Sequence, residues 1–330
     1  MDYAAPRWLP GGNLQTIWAA LYARRFEGPG PVYQRERWYT PDGDFIDVDF
    51  AAAPADAPAT EGKPLLVLFH GLEGSSASHY AQAFAAYARA HGMDYAVPHF
   101  RGCSGEINLA PRAYHSGDYE EIGWVLARLR ERHAAAGGGP TLAVGVSLGG
   151  NALLRWAEEA GATAAQYANA VAAVCAPLDL AAGGAAIGKG FNRLVYTRMF
   201  LSTMKPKALA KLAQHPGLFD RDALLAAKDL YQFDNVFTAP VHGFRDTDDY
   251  WSRGSAKPHL RAIRIPALVV NAANDPFIPA SSLPTPADAG PRVTLWQPAH
   301  GGHVGFPSGR LPGHVAALPE QVGGWLRQHR

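Results

Sequence analysis

The sequence predicts an α/β protein: a mostly parallel central sheet with helices on both faces, interrupted by a helical cap insertion. Three observations predict it. Six apolar runs of strand length recur along the chain: PLLVLFHG (64–71), DYAVPHF (94–100), TLAVGV (141–146), AVAAVCAP (170–177), PALVVNA (266–272) and RVTLWQ (292–297). Helical patterns separate the early runs, and strand–helix alternation implies parallel pairing through crossovers. From residue 181 to 260 no comparable strand run occurs, and the alternation resumes at Arg261. The chain therefore divides into a first core part with an N-terminal arm and hairpin (1–180), a helical cap (181–260) and a second core part (261–330).

Taken in order, the N-terminal arm carries a short helix around Leu14–Arg24. VYQRERWYT and FIDVDF, joined by Pro-Asp-Gly-Asp, read as a hairpin. Phe45, Val48 and Phe50 suggest that its second strand keeps one wet face. The Ala/Pro-rich stretch 51–63 is a surface connection. The six apolar runs have the composition of strands buried on both faces. HYAQAFAAYARAHG (79–92) is helical, closed by Gly92, with Ser75, Ser76 or Ser78 available as its cap. In 117–139 acids come early, bases late and glycines last, as the helix dipole prefers. The cap region carries Phe191, Tyr196, Met199, Phe200, Leu201 and Met204, then a second helical stretch near Asp220–Tyr231.

Composition narrows the function classes. The chain has 330 residues, 48% hydrophobic and 18% charged, which is ordinary globular usage with room for a sizeable core. A formal net charge of +1 makes nucleic acid and anionic membrane surfaces poor partners. Cys103 and Cys175 form neither a disulfide framework nor a zinc-type spacing, which fits a reducing compartment. The first residues lack the basic and long apolar segments of a signal peptide, and no apolar run has the length of a membrane span. A cytoplasmic location is the expectation.

The chemistry starts at Ser147. Gly145-Val146-Ser147-Leu148-Gly149 follows a buried strand and precedes the helical NALLRWAEEA, the setting in which G-x-S-x-G marks a nucleophile elbow. The turn is strained, and a Cβ at either flanking glycine would strike the adjacent strand or helix. A serine hydroxyl needs a base and an acid, which follow in the order serine, acid, histidine in such sheets. Asp275 lies just past one strand run and His303 just past the next, at the carboxyl edge where open sheets build sites. His303 is preferred over His300 because its small neighbours permit close backbone approach. Asp246, Asp248 and Asp249 are rivals to Asp275 but precede the resumed strands. A metal pair from His300 and His303 lacks further ligands nearby. Backbone N–H groups of Leu148 and Leu72 are the expected oxyanion donors. Cys103 has no evident base and reads as a small packed thiol.

Together HGLEGSSASHY, FRGCSGEIN, YHSGDYEE, GVSLGGN, FDNVFTAPVHGF, HGGHVGF and the opening PRWLPGGNLQTIW resemble the YheT-type branch of the α/β-hydrolase superfamily. This branch is also called the AB hydrolase 4 family and is related to the eukaryotic ABHD1/2/3 proteins. The resemblance spans roughly residues 6–328. It implies an α/β-hydrolase core with a helical cap, carboxylester hydrolase activity and a Ser147–Asp275–His303 triad. The FRGCSGEIN and YHSG stretches would then shape the pocket. Two departures limit it: the relatives' N-terminal membrane anchor has no counterpart here, and the position matching the aspartate of their His-x4-Asp motif after His115 is Glu120.

The reading is a serine esterase using a small-molecule ester with an apolar acyl group, short or medium in length, and needing no metal or organic cofactor. An acyltransferase or thioesterase on the same triad is the alternative. A non-catalytic binding protein on this scaffold is the third reading.

Overall fold

The computed structural model describes residues 1–52 and 61–330, so most of the Ala/Pro-rich connection lies outside the described residues. Eight strands form one sheet: β1 (Tyr33–Tyr39), β2 (Phe45–Ala51), β3 (Leu65–Phe69), β4 (Asp94–Pro98), β5 (Thr141–Val146), β6 (Ala170–Val174), β7 (Ala267–Val270) and β8 (Val293–Trp296). Their spatial order is β1-β2-β4-β3-β5-β6-β7-β8. β1 and β2 pair antiparallel, as do β2 and β4, and every later pair is parallel.

Side-chain alternation along each strand divides the core into two halves. On β3, Leu65, Val67 and Phe69 face the half that includes Ile122, Leu126 and Leu129 of α3 (Tyr119–Ala135) and Leu153 and Ala157 of α4 (Leu148–Ala160). Leu66 and Leu68 face the other half, with Phe84 and Ala88 of α2 (His79–Ala90) and Leu318 and Val322 near the C-terminus. The apolar runs are continuous because both faces of the sheet are covered.

Three local expectations are corrected. β2 has no wet face: it lies between β1 and β4, and Asp47 and Asp49 are 3% and 2% exposed. Their charges are met by Arg37 and Arg35 rather than by water, and Asp49 also accepts from Ser76 and His99. β8 is not buried on both faces, because it is an edge strand paired only with β7. No serine side chain caps α2; the Ser78 hydroxyl accepts from Ser75 N–H, and Ser76 is committed to Asp49.

Between β6 and β7 the described chain is helical, including α5 (Leu180–Ile187) and helices at Arg198–Gln214, Arg221–Ala226 and Thr247–Gly254. Leu201, Ala208, Leu224, Phe233 and Phe237 form an apolar cluster of their own there. Asp246 caps the last of these helices through Asp249 N–H. The N-terminal helix α1 (Gly12–Leu21) starts two residues earlier than the sequence suggests, after Gly11 with φ 78°. It buries Gln15 and Thr16, which is unusual for polar side chains and bears on the site.

Candidate active site

The site is built around the corner between β5 and α4. Ser147 sits there at φ 52° and ψ −119°, and its N–H donates to Val174 O (2.8 Å) on β6. The corner is possible because the neighbours are glycines. A Cβ on Gly145 would lie 2.3 Å from Gly149 O, and one on Gly149 would lie 2.4 Å from His70 O. Both obstacles are backbone and cannot swing away. The N-terminus of the 13-residue helix α4 lies directly behind the hydroxyl and favours developing negative charge.

The loops after β7 and β8 bring Asp275 and His303 to this corner. His303 Nε2 is 3.0 Å from Ser147 Oγ, and His303 Nδ1 is 2.9 Å from Asp275 Oδ2. A carboxylate can only accept, so Nδ1 carries the hydrogen and Nε2 is free to accept the serine proton. The other carboxylate oxygen accepts from Phe277 N–H (2.8 Å). The Asp275 side chain is fully buried, and the Phe277 ring packs against the imidazole at 4.1 Å between centroids, tilted by 32°. His300 is exposed, with a 3.4 Å contact to Asn274 Nδ2.

Leu72 and Leu148 flank the serine. Among the described residues neither N–H has a hydrogen-bond acceptor. The Leu72 N–H belongs to the same planar peptide as Gly71 C=O, so the two point in opposite directions. Gly71 O is held by His70 Nδ1 (2.8 Å) and Gly74 N–H (2.9 Å). His70 Nε2 accepts from Phe100 N–H (3.0 Å), so Nδ1 must be the donor. Burial pushes the pKa of this ring down to about 3, which keeps it neutral. Glu73, next in the chain, takes φ 57°; the Tyr114 hydroxyl accepts its N–H and donates to its carboxylate.

A cavity opens from this corner toward the helices after β6. Ser147, His303, Leu72 and Leu148 line its base, and Ile187, Phe200, Met204, Phe233 and Phe237 line its apolar wall. Of the aromatic and methionine residues noted in the sequence, Phe191 and Met199 instead face outward. The two stretches expected to shape the pocket supply Arg101, Asn108, Tyr114 and His115 to it. Glu73 pairs with Lys207 (2.8 Å) of the helix above, joining the loop to the cavity roof. Burial pushes the Cys103 thiol up to about 12, which leaves no thiolate to act as a nucleophile at neutral pH.

Several polar partners of the site are not legible as functional in the sequence. Four consecutive N–H groups of the histidine loop are each held by a side chain from elsewhere. Gly301 N–H donates to Gln15 Oε1 (2.9 Å), Gly302 to Asn274 Oδ1 (3.0 Å), His303 to Thr16 Oγ1 (2.8 Å) and Val304 to Cys175 Sγ (3.2 Å). The one available signal is a Gln-Thr pair inside an otherwise apolar helical pattern, and that pattern does not say which face is buried.

A sequence description of the alpha/beta hydrolase fold matches residues 64–309. With the eight-stranded sheet and the serine corner, that match defines the class: the chain belongs to the α/β-hydrolase family. Within the family it is similar to the Escherichia coli (strain K12) protein named "Putative esterase YheT", at 39% identity over 95% of this chain and 89% of that protein. It is also similar to human Phospholipase ABHD3, at 30% identity over 92% of this chain and 73% of that protein. Among solved structures, the Pyrococcus furiosus esterase Pf2001 superposes with a TM-score of 0.56 at 15% identity, covering 99% of this chain and 98% of that one. A Pyrobaculum calidifontis esterase gives a TM-score of 0.58 at 17% identity, covering 96% and 89%. At such identities these two likenesses speak for the fold alone. Among the described residues no helix is long and apolar enough to cross a membrane.

Proposed function

We propose that this protein is a serine carboxylester hydrolase acting on short- or medium-chain esters through an acyl-enzyme. Ester hydrolysis is the activity that family membership and the YheT relative support. The single observation carrying the mechanism is the hydrogen-bond chain from Ser147 Oγ through His303 to Asp275.

In the first half-reaction Ser147 Oγ attacks the ester carbonyl carbon while its proton passes to His303 Nε2. Asp275 holds the imidazole tautomer and stabilises the imidazolium. The carbonyl oxygen becomes an oxyanion received by the Leu72 and Leu148 N–H groups. Collapse breaks the bond to the alcohol oxygen, which leaves with the proton from Nε2. Water then attacks the acyl-enzyme, giving its proton to Nε2, and the acid departs as Ser147 recovers its own. The helical region 181–260 acts as the cap, and Phe200 and Met204 on it contact the acyl chain.

A burst assay on p-nitrophenyl esters of graded chain length, with wild type and Ser147→Ala, tests this reading. The expected result is turnover that disappears in the variant, with an optimum at short or medium acyl length. A stoichiometric burst with little turnover would mean that water is not the natural acceptor and would move the reading to an acyltransferase. Hydrolysis retained by Ser147→Ala would overturn the serine mechanism.

A further inference from the structure

We propose that Gln15 and Thr16, on the N-terminal helix α1, are positioning residues for His303. This inference rests on the serine-hydrolase reading above. The helix lies outside residues 64–309, the part matched to the family fold.

The loop after β8 needs such help. From residue 297 to His303 the chain has no helix or strand, so secondary structure satisfies none of its amides. A histidine on that loop is only as well placed as the loop. Thr16 Oγ1 spends its hydrogen on Gly12 O (2.8 Å), which leaves a lone pair for His303 N–H at 2.8 Å. Gln15 Nε2 donates to Leu9 O (3.0 Å), and this fixes which end of its amide is oxygen. Its Oε1 then accepts from Gly301 N–H (2.9 Å) and from Asn274 Nδ2 (3.0 Å). Asn274 directly precedes Asp275, and Gly301 comes two residues before His303. One buried glutamine oxygen therefore ties the acid loop to the histidine loop.

The close approach that allows this is a second, independent observation. A Cβ on Gly12 would lie 1.8 Å from Asn274 O, one on Gly302 would lie 2.6 Å from Gly12 O, and one on Gly305 would lie 2.4 Å from Gln15 O. Three glycines, on both sides of the contact, remove the atoms that would hold α1 away. Gln15 is 1% exposed and Thr16 8%, so water does not compete for these bonds. A helix packed here only for stability would need apolar contact, not two polar side chains aimed at the amides around the imidazole.

The test uses the full chain and the Thr16→Val, Thr16→Ser and Gln15→Met variants. Valine keeps the shape of Thr16 and removes its acceptor, so kcat is expected to fall at least about tenfold with KM changed less than twofold. Serine keeps the oxygen and is expected to stay within about threefold of wild type. Two readouts separate positioning from stability. The apparent pKa governing kcat/KM should move in Thr16→Val, and the deshielded Nδ1 proton of His303 in the NMR spectrum should weaken or shift. If Thr16→Val does not accumulate folded, Gln15→Met is expected to give the same changes. A folded Thr16→Val or Gln15→Met with unchanged kcat, pH profile and Nδ1 resonance overturns the inference. Equal loss in Thr16→Val and Thr16→Ser with an unmoved resonance also overturns it. Ser147→Ala keeps the two questions apart: if it is active the serine reading fails, whereas if it is inactive and Thr16→Val is normal, only this inference fails.

Discussion

The hydroxyl of Ser147 and Nε2 of His303 lie 3.0 Å apart across 156 positions of sequence. No local rule brings them together. β5 and β8 are separated in the sheet by β6 and β7, and the serine turn and the histidine loop meet above the carboxyl ends of those strands.

The acid behind the histidine should matter through geometry. Asp275→Asn keeps the size of the side chain but offers an amide to Nδ1, which favours the wrong imidazole tautomer. We expect kcat to fall by about 10³- to 10⁴-fold with little change in KM. Steady-state kinetics on the best p-nitrophenyl ester measures it, and a loss under tenfold would show that Asp275 does not orient the base.

Gly149→Ala should fail for a steric reason. Its Cβ would meet the carbonyl oxygens of His70 and Phe69 at 2.4 and 2.6 Å. We expect destabilisation of at least about 1–3 kcal/mol in urea unfolding, together with lost activity. Gly324→Ala is the matched control. It lies in the helix Ala317–Leu326 with nothing within 4 Å, and should be neutral or stabilising by up to about 1 kcal/mol.

Arg101 is the counter-charge for a buried acidic group at the cavity wall. Its guanidinium binds Asp44 (2.8 Å) and Glu121 (2.5 Å), whose side chains are 0% and 5% exposed. Arg101→Met leaves both carboxylates in a dry environment with their main cation removed. The expected cost is about 3–5 kcal/mol, read as a lower urea midpoint. An unchanged midpoint would mean that water reaches the cluster.

His70 should give the protein an acid-sensitive limb. Its pKa is pushed down to about 3, first by burial and then by the neighbouring His99, against an ordinary value of 6.5. The unfolded chain therefore binds a proton between these values that the folded chain does not. Its contribution to stability is complete above pH 6.5 and is lost as pH falls from there toward 3. The slope from this one group approaches about 1.4 kcal/mol per pH unit. His70→Asn, with no proton to gain, should show a shallower acid limb in urea titrations between pH 6.5 and 4, and parallel limbs would contradict a neutral buried ring.

Much of this was legible before folding. The strands β3 to β7 announce themselves as unbroken apolar runs, because burial on both sheet faces leaves no polar alternation. The serine corner is legible because a strained turn admits few residues: Gly145 and Gly149 stand where a Cβ would strike backbone. Asp275 and His303 could be chosen because each follows a strand run closely enough to sit at its carboxyl end. The apolar pattern misled at β2, where Phe45, Val48 and Phe50 suggested one wet face. Asp47 and Asp49 are instead buried against arginines from the neighbouring strand, and pairing across strands is invisible in one strand's own pattern.

The sequence by itself determined the buried strand runs, the glycine-flanked serine corner and the order of Ser147, Asp275 and His303 along the chain, since these depend on local backbone sterics and hydrophobic run length. Only the tertiary structure decided what surrounds His303. Gln15 and Thr16 on α1, Asn274 and Cys175 come from three separate places in the chain, and each bonds one amide of a loop with no ladder of its own. A hydrogen bond reports its partner only when both ends are in place. The helical pattern around Gln15 shows that α1 forms, but not that it lies within 3 Å of the histidine loop.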